Sequence, residues 1–584
     1  MPTLRLALAQ VNMTVGDIAG NLARARSAVA DAAEQGAELV ALPEMALTGY
    51  PVEDLALRGT FVAASRRAVD ELARTLEQDG LGHVVVILGY LDATDGAVAR
   101  LGVPQGSPHN ALAVLSGGEV VARSFKHHLP NYGVFDEFRY FVPGHSLAVV
   151  TVHGIDIALC ICEDIWQDGP SAAARAAGAG LMVVINGSPY ERDKDDTRLE
   201  LCARRAREAG CTLAYVNLVG GQDELVFDGD SVVVDRDGTM LARGEQFAEH
   251  LLVLDLDLPA AAERVPDPDE SFGGLRVDRS VVSVDASDRP LPALDPPPIA
   301  ERLDAAGEIY TALVLGLRDY IGKNGMRRVY LGLSGGIDST LVAAIACDAI
   351  GAENVYGISN PSSYSSQHSR DDAADLAART GLNLETVPIA PMVEAFDAGI
   401  DIDGVAAENI QARIRAVIWM ALSNQHEPSI VLACGNKSEL AVGYSTIYGD
   451  AVGGYAPIKD VLKTQVWELA RWRNAEAERR GETPPIPPNT ITKEPSAELR
   501  PGQLDTDSLP DYQLLDDILD DYIESDAGST ELAEAGFDPA TVEKVLRMVD
   551  RAEYKRRQYP PGTKVSIRNF GRARRLPITS GWRE

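Results

Sequence analysis

A proline-rich break between residues 261 and 300 most constrains what this chain can fold into. The break contains the stretches ERVPDPDESFGG and DRPLPALDPPPIAE, in which proline is dense and hydrophobic periodicity is lost. Proline opposes both helix interiors and central strands, so the segment is predicted to be a linker. The chain has 584 residues, which is too many for one hydrophobic core. Two domains are therefore expected, over residues 1–260 and 301–584.

The segment before the break alternates short apolar stretches with amphipathic helical patterns. Helical periodicity occurs in NLARARSAVADAAEQG and LELCARRAREAG, and the apolar stretches have the length and composition of strands. The predicted strands are LRLALAQV, AELVALPE, HVVVILGY, NALAVLS, DIALCICED, LMVVINGS, CTLAYVN, SVVVDRDG and LLVLDLDL. This strand-rich alternation predicts a sandwich of sheets covered by helices.

After residue 300, apolar strands alternate strictly with helices. The stretches are RRVYLGLS, TLVAAIACDAIG, NVYGISN, SRDDAADLAARTG and LNLETVPI. Strict alternation of this kind predicts a doubly wound parallel sheet. The densest basic run, EYKRRQYPPGTKVSIRNFGRARRLP, begins at Glu553 and is predicted to fold over an active site of this domain or a subunit interface.

The formal net charge of −32 argues against a polyanionic partner, because an acidic surface repels nucleic acid and anionic membranes. The six cysteines show no paired metal-ligand spacing, as is typical of a reduced compartment. The N-terminal stretch MPTLRLALAQVNMTVGD lacks the cleavage site of a signal peptide, and no apolar segment is long enough to span a membrane. A cytoplasmic protein without nucleic-acid or membrane partners is expected.

The stretch LGLSGGIDST joins an apolar strand to a helix and has the composition of an anion-binding loop. Gly335 and Gly336 are predicted to take positive φ so that the backbone can approach an anion closely. Ser334 and Ser339 add hydroxyl donors. Asp338 would repel phosphates unless a divalent cation lay between them, so a Mg²⁺ site is implied. A tight strand-to-helix turn without a ligand is the competing interpretation.

The string Ser-Gly-Gly-Ile-Asp-Ser, placed between a strand and a helix, resembles the pyrophosphate loop of the ATP pyrophosphatases. These enzymes split ATP between the α and β phosphates, and no Walker-type lysine is required for that reaction. The resemblance implies that the loop holds the departing pyrophosphate. It assigns ATP binding to Gly332, Leu333, Ser334, Gly335, Gly336, Ile337, Asp338 and Ser339.

The stretch ALCICEDIW places Cys162 at the end of an apolar strand. Cys160 has the same parity, so strand alternation cannot choose between them, but Cys162 lies closer to solvent. Glu44 in ALPEMALTGYP and Lys126 in SFKHHLPNYGVFDE also stand at predicted strand ends. A nucleophilic cysteine needs a base and an oxyanion donor, which a glutamate and a lysine can provide. Taken one at a time, each residue also has an ordinary interpretation. The cysteine could be buried and inert, and the glutamate and the lysine could be solvated surface side chains.

These three residues, in this order, resemble the catalytic set of the nitrilase or carbon–nitrogen hydrolase superfamily. The resemblance implies a four-layer α-β-β-α sandwich, with Glu44 as general base, Lys126 stabilising the intermediate and Cys162 forming a thioester. The residues matched to glutamine binding are Tyr132, Ser188 and Lys194, with Asn131 and Glu137 expected beside them.

The two domains together resemble the glutamine-dependent NAD synthetases, and the likeness covers essentially the whole chain. The resemblance implies a carbon–nitrogen ligase that amidates deamido-NAD at the expense of ATP, with Mg²⁺ and with ammonia from glutamine. It also implies an ammonia tunnel and a homo-oligomer, with an octamer as the specific expectation.

Further positions follow from the same resemblance. Lys463 matches a lysine at the ATP phosphates, while Cys434 stands where the family usually has an ATP-contacting threonine. Asp338 and Glu439 match the metal ligands. The residues matched to deamido-NAD binding are Asn409, Arg413, Arg415, Glu439 and Lys555.

Three alternatives stay open at this point. The basic C-terminal run could touch RNA in a tRNA-modifying pyrophosphatase, although the net charge and the first domain oppose this. The glycine loop could bind ATP without turnover, as the sensor of an amidase. Another amide-forming ligase would keep both sites and change the acceptor acid.

Overall fold

The computed structural model describes residues 1–94, 102–261, 271–283, 291 and 293–582. The chain forms two compact units. The first comprises Met1–Gln222 and Phe227–Arg302, and the second comprises Asp223–Val226 and Leu303–Glu584. Within the described ranges, no helix is both long and apolar enough to cross a membrane.

The strands described before residue 303 include all nine that the sequence predicts. They are β1 (Thr3–Gln10), β2 (Leu39–Ala41), β3 (Val85–Ala93), β4 (Pro108–Ser116), β5 (Glu119–Phe125), β6 (Ser146–Val152), β7 (Ile155–Ile161), β8 (Leu181–Asn186), β9 (Thr212–Asn217), β10 (Val219–Gln222), β11 (Leu225–Asp228), β12 (Val232–Val234), β13 (Met240–Arg243), β14 (His250–Asp257) and β15 (Arg276–Val281).

Two sheets pack face to face in the first unit. One has the strand order β14-β1-β2-β3-β4-β5 and the other β13-β12-β9-β8-β7-β6-β15. Aliphatic side chains from both sheets, including Leu6, Ile87, Ile157 and Val183, form one buried cluster between them. Alternate residues of each strand point to this layer, which is why the apolar patterns of the sequence survive in the fold.

Helices cover the outer faces of both sheets, so the predicted α-β-β-α sandwich is confirmed. Small side chains, among them Ala174 and Ala206, pack with the second sheet in a further buried cluster. Asp17 caps the first helix by accepting a hydrogen bond from the N–H of Gly20 at 3.0 Å. The helices are α1 (Ile18–Glu34), α2 (Gly59–Gln78), α3 (Pro170–Ala177) and α4 (Lys194–Ala209).

A strand lies inside the segment that composition predicts as a linker. β15 pairs in parallel with β6 and forms the edge of the second sheet. Its sequence, RVDRSV, mixes charged, polar and aliphatic residues, and its residues are exposed or only partly buried, as suits an edge strand. Residues 262–270, 284–290 and 292 of that segment lie outside the described residues.

The second unit contains a parallel sheet and many helices. Its strands are β16 (Arg328–Gly332), β17 (Val355–Ser359), β18 (Asn383–Thr386) and β19 (Ser429–Val431). Its helices are α5 (Ala305–Lys323), α6 (Ile337–Ile350), α7 (Gln367–Thr380), α8 (Ala390–Gly399), α9 (Gly404–Gln425), α10 (Lys437–Val442), α11 (Lys463–Arg480), α12 (Pro488–Thr492), α13 (Tyr512–Glu524), α14 (Ser529–Glu534), α15 (Pro539–Arg551) and α16 (Glu553–Arg556).

The strand order β18-β17-β16-β19 identifies the doubly wound sheet that the sequence predicts. All three strand pairs are parallel. The order reverses between β16 and β19, and ligands of such sheets bind beyond the carboxyl ends of the strands at this switch point. The glycine loop follows β16, and residues 432–436 follow β19, so both lead into this crevice.

Candidate active sites

Cys162 begins a 3₁₀ turn at the end of a buried strand. β7 ends at Ile161, and the turn Cys162–Ile165 follows directly. Cys162 has a φ of 46°, a value that few residues other than glycine adopt. The side-chain alternation of the strand therefore does not continue through this residue.

Cys160 and Cys162 face different layers, although strand alternation predicts the same face for both. Cys160 packs with Ala173 and Cys202 in the cluster under the helices, whereas Cys162 belongs to the layer between the sheets. Burial raises the pKa of the Cys160 thiol well above its ordinary value. Cys162 is itself buried, so the expected exposure to solvent does not separate the two thiols, whereas the turn does. The choice of Cys162 as the nucleophile stays a prediction.

Glu44 and Lys126 form a buried ion pair beside Cys162. Lys126 Nζ lies 2.8 Å from Glu44 Oε1, and the two residues follow the ends of β2 and β5. Asn110 Nδ2 donates to the same oxygen at 2.6 Å, and the N–H of Gly187 donates to Oε2 at 2.7 Å. Both carboxylate oxygens are therefore held in place. Neither Asn110 nor Gly187 has a sequence pattern that distinguishes it from an ordinary strand end.

A second carboxylate lies on the other side of the lysine. Glu137 Oε1 accepts from Lys126 Nζ at 3.0 Å and from the hydroxyl of Tyr50 at 2.9 Å. Burial raises the pKa of Glu137 to about 7. Glu137 therefore contacts Lys126 directly, whereas Asn131 is exposed.

The charges around Cys162 favour a protonated thiol at rest and a charged lysine. Burial and the Glu44 carboxylate raise the pKa of Cys162 well above its ordinary value, although Lys126 lowers it. Burial alone would lower the pKa of Lys126, but the carboxylates of Glu137 and Glu44 raise it well above its usual value. A protonated thiol of this kind could act as a nucleophile only if an adjacent base took its proton.

The three residues matched to glutamine binding lie in different settings. Tyr132 is 55% exposed, and its hydroxyl donates to Glu163 Oε2 at 2.9 Å. Ser188 is buried and directly follows the residue whose N–H binds Glu44. Lys194 begins α4. Their contact with a ligand stays a prediction.

The glycine loop turns from β16 into α6 through a network of hydroxyl groups. Ser334 Oγ accepts from the N–H of Gly336 at 3.1 Å and lies 3.1 Å from Ser339 Oγ. No side chain caps α6 at Gly336. A helix start without a side-chain cap leaves backbone N–H groups for an anion.

The two glycines of the loop differ in conformation. Gly335 has a φ of 76°, as predicted. The prediction for Gly336 is wrong, because this residue has a φ of −81° and a ψ of 161°. Gly336 occupies the N-cap position of α6, where extended backbone is usual for any residue.

Gly335→Ala is expected to damage the loop. A Cβ at this position would overlap the carbonyl oxygen of Ser369, and φ is unfavourable for alanine. We expect the free energy of unfolding to fall by about 1–3 kcal/mol and the stabilisation by ATP, measured as a melting-temperature shift, to disappear. Gly322→Ala, in open space near the end of α5, should keep the ATP shift. An undiminished shift in Gly335→Ala would contradict the assigned loop.

A cavity of about 640 Å³ opens beside the glycine loop. Its volume falls in the range of small-molecule sites. Of the residues predicted from the sequence, the lining includes Gly332, Leu333, Ser334, Gly336, Ile337, Asp338, Ser339, Asn409, Arg415, Cys434, Glu439, Lys463 and Lys555.

Two carboxylates and a lysine meet at one wall of this cavity. Lys463 Nζ pairs with Asp338 and lies 3.4 Å from Glu439 Oε1. Burial lowers the pKa of Lys463, but the two carboxylates raise it more, so it stays charged. Asn436 Nδ2 donates to Asp338 at 2.8 Å, and Asn436 Oδ1 accepts from the N–H of Glu439 at 3.0 Å. Asn436 thus fixes both acidic residues, and sequence reasoning missed it.

The cations matched to deamido-NAD binding divide into two groups. Arg415 and Lys555 line the cavity, as does Asn409, and burial lowers the pKa of both cations, that of Arg415 to about 10. Arg413 Nε instead donates to the backbone oxygen of Ile447 at 3.3 Å, and Arg413 is not among the lining residues.

Cys434 lines the cavity with a partly buried thiol. Burial raises the pKa of this thiol well above its ordinary value, so it remains protonated. A thiol is a weaker hydrogen-bond donor than the threonine hydroxyl that the family resemblance leads us to expect here.

Sequence reasoning missed one wall of the cavity, which residues 490–508 contribute. Lys493 Nζ donates to Ser369 Oγ at 3.1 Å and lies 2.9 Å from a carboxylate oxygen of Asp372. Glu498 Oε1 accepts from the hydroxyl of the same serine at 2.8 Å. The stretch ITKEPSAELRPGQLDTDS has loop composition, and nothing in that composition shows where the loop lies.

Family models match both parts of the chain. The carbon-nitrogen hydrolase model matches residues 5–264, and the NAD synthase model matches residues 309–559. The glutamine-dependent NAD(+) synthetase of Xanthomonas campestris pv. campestris (strain 8004) is 44% identical over 592 residues, covering 99% of this chain and 98% of that protein.

Two further relatives cover the whole length. The glutamine-dependent NAD(+) synthetase of Thermotoga maritima is 42% identical over 600 residues, covering 100% of each chain. A solved structure of the glutamine-dependent NAD+ synthetase from Acinetobacter baumannii in complex with ADP is 37% identical, with a TM-score of 0.72 and 99% of each chain covered.

Proposed function

The chain belongs to the glutamine-dependent NAD(+) synthetases, and we propose how its two sites divide that reaction. The first unit hydrolyses glutamine to glutamate and ammonia. The second unit activates deamido-NAD with ATP, and ammonia then replaces AMP on the activated carboxyl group. The observation that carries this division is the pair of sites themselves: a buried thiol beside the ion pair of Glu44 and Lys126 in one unit, and a cavity at the glycine loop in the other.

In the first unit, Cys162 attacks the side-chain amide carbon of glutamine while Glu44 accepts the thiol proton. Lys126 donates a hydrogen bond to the developing oxyanion. When the tetrahedral intermediate collapses, Glu44 returns the proton to the leaving nitrogen. Ammonia departs, and a thioester remains on Cys162. Glu44 then takes a proton from water as its oxygen attacks the thioester carbonyl. The C–S bond breaks, glutamate leaves, and Glu44 returns the proton to the sulfur of Cys162.

We assign recognition of the rest of the glutamine molecule to Tyr132, Ser188 and Lys194. Ser188 adjoins the backbone N–H that binds Glu44, so the site and the catalytic pair are connected through neighbouring residues. A cationic Lys194 suits the α-carboxylate of the substrate.

In the second unit, the carboxylate of deamido-NAD attacks the α-phosphorus of ATP, and pyrophosphate leaves. The hydroxyls of Ser334 and Ser339 and the first N–H groups of α6 hold the pyrophosphate. Lys463 offsets charge at the phosphates. Ammonia then attacks the acyl-adenylate carbonyl, AMP leaves, and the amide of NAD loses the surplus proton.

Asn409, Arg415 and Lys555 hold deamido-NAD, and Arg413 supports the neighbouring turn through Ile447.

The residues at the cavity wall fit a magnesium ion. Asp338 and Glu439 both pair with Lys463, and Mg²⁺ in nucleotide sites commonly takes one or two carboxylates, with phosphate and water oxygens as its other ligands. Burial and the neighbouring Asp338 carboxylate raise the pKa of Glu439 to about 8, although Lys463 lowers it, so a further nearby cation would favour its charged form. When bound there, the ion would neutralise charge on the phosphates.

We also propose a cytoplasmic location and a homo-oligomer, with an octamer as the specific expectation. The reaction consumes ATP and uses a free thiol, and the six cysteines of the sequence are unpaired in the structure. The free thiol and the unpaired cysteines both suit a reduced compartment. Light scattering coupled to gel filtration would give the mass; a monomer would contradict the assembly.

The division of labour is tested by tracing nitrogen. The full chain is incubated with ATP, Mg²⁺, deamido-NAD and glutamine labelled with nitrogen-15 in the side-chain amide, and the products are analysed by mass spectrometry. We expect labelled NAD, with AMP and pyrophosphate formed in equal amounts, and unlabelled ammonium alone should also support NAD formation. Formation of ADP and phosphate, or label-free NAD, would rule out the proposed chemistry.

A further inference from the structure

Asp164 provides a buried carboxylate that the proposed reaction does not use. It is the third residue of the 3₁₀ turn that begins at Cys162, and it is 6% exposed. The carboxylate accepts three backbone hydrogen bonds. Their donors belong to the two chain segments that carry the reactive lysine and the reactive cysteine.

Each oxygen of this carboxylate holds a different segment. Oδ1 accepts from the N–H of His127 at 3.0 Å and from the N–H of His128 at 2.9 Å. Oδ2 accepts from the N–H of Ile161 at 3.0 Å. The first two donors directly follow the lysine, and the third directly precedes the cysteine. The planar carboxylate therefore sets the distance between the two segments.

An ionised carboxylate suits this place better than an amide would. All its partners here are donors, and both of its oxygens act only as acceptors. An asparagine at 164 would direct its NH₂ group either at the N–H of Ile161 or at the N–H groups of His127 and His128. The bridge also spans Cys162, whose positive φ requires support from its surroundings.

We propose that Asp164 is a positioning residue for glutamine hydrolysis. Its carboxylate joins the segment after Lys126 to the turn at Cys162 and so holds the ammonium and the sulfur at their working distance. This inference rests on the roles proposed above for Lys126 and Cys162. A misplacement on the order of 1 Å at a reacting centre can lower a rate by about 10²-fold.

The test uses Asp164→Asn, which keeps the side-chain shape and replaces one acceptor by a donor. We expect kcat for glutamine hydrolysis to fall by about 10²-fold, with KM for glutamine changed less than about threefold, because the groups assigned to bind the substrate remain. Rates are expressed per Cys162 that reacts with 6-diazo-5-oxonorleucine, so that only folded sites are counted. NAD formation from ammonium should match that of the unmodified chain.

Asp156→Asn is a matched control at the opposite end of the same strand. Asp156 is fully buried and accepts from Thr151 Oγ1 at 2.7 Å and from Arg279 at 2.6 Å. Its replacement should lower the melting temperature but leave kcat per reactive Cys162 unchanged. An equal fall of kcat in both variants would mean that Asp164 acts only through stability, and the proposal would be lost.

Other outcomes are equally decisive. If Asp164→Asn keeps kcat within about threefold, the proposal fails while the reaction scheme stands. If the unmodified chain does not hydrolyse glutamine, the reaction scheme itself fails. Should Asp164→Asn not fold, hydrogen–deuterium exchange of the unmodified chain decides: peptides covering 127–128 and 161 should be strongly protected, and rapid exchange there would overturn the bridge.

Discussion

Cys162→Ala is expected to abolish NAD formation from glutamine and to leave NAD formation from ammonium intact. Alanine removes the nucleophile, so the rate with glutamine should fall by at least about 10³-fold. Ammonium supplied in solution bypasses this step. The 2.8 Å pair between Lys126 and Glu44 does not require the thiol, so the unit should stay folded at a cost of about 1 kcal/mol. Initial rates with each nitrogen donor, at saturating ATP, Mg²⁺ and deamido-NAD, give the measurement.

Cys160→Ala is the matched control for this experiment. It removes the same atom from the same stretch of chain, but from the cluster under the helices. We expect a lower melting temperature and an unchanged ratio of glutamine-dependent to ammonium-dependent rates. Retention of glutamine-dependent synthesis by Cys162→Ala, or its loss in Cys160→Ala, would refute the assignment of the nucleophile.

Asp338→Asn is expected to suppress NAD formation with both nitrogen donors. The change removes one of the two carboxylates at the cavity wall beside the glycine loop and weakens the pairing of Lys463. Stabilisation of charge on the departing pyrophosphate should be lost, and the rate should fall by about 10²–10³-fold. Release of pyrophosphate with ammonium as donor is the quantity to follow, while reaction of Cys162 with 6-diazo-5-oxonorleucine reports on the other unit.

Asp348→Asn controls for the loss of a charge on the same helix. Asp348 lies near the end of α6, accepts from the hydroxyl of Tyr310 at 2.6 Å and pairs with Arg473 at 2.7 Å. It is not among the residues that line the cavity. We expect this variant to melt at a lower temperature yet release pyrophosphate at the normal rate. Equal loss of activity in both variants would point to disruption of α6 and against a role at the phosphates.

Hydrophobic periodicity was sufficient to predict both sheets. The nine strands predicted before the break are all present, because buried strands need long apolar runs. Four strands of the two sheets were not predicted: β5, whose sequence EVVARSF is half polar, β6, β13, and β15, which lies in the proline-rich segment. β5 and β15 are edge strands, which pair with a neighbour on one side only.

The candidate active site of the first unit was predictable only in part. Glu44, Lys126 and Cys162 each stand at a strand end, where local sequence has a readable meaning. Asn110 and Asp164 act through hydrogen bonds to residues 66 and 36–37 positions away. Neither has a local pattern that reveals its partner.

The sequence alone determined the two-domain organisation, the sandwich, the doubly wound sheet and the place of the glycine loop, and the family resemblance predicted that Glu44 and Lys126 act with Cys162. These depend on apolar periodicity and on motifs that are contiguous in the chain. Only the tertiary structure decided that Cys162 turns away from the layer of Cys160, that Asn436 joins Asp338 to Glu439, and that residues 490–508 wall the cavity. Each of these depends on a backbone torsion or on a contact between segments far apart in sequence, and periodicity carries no information about either.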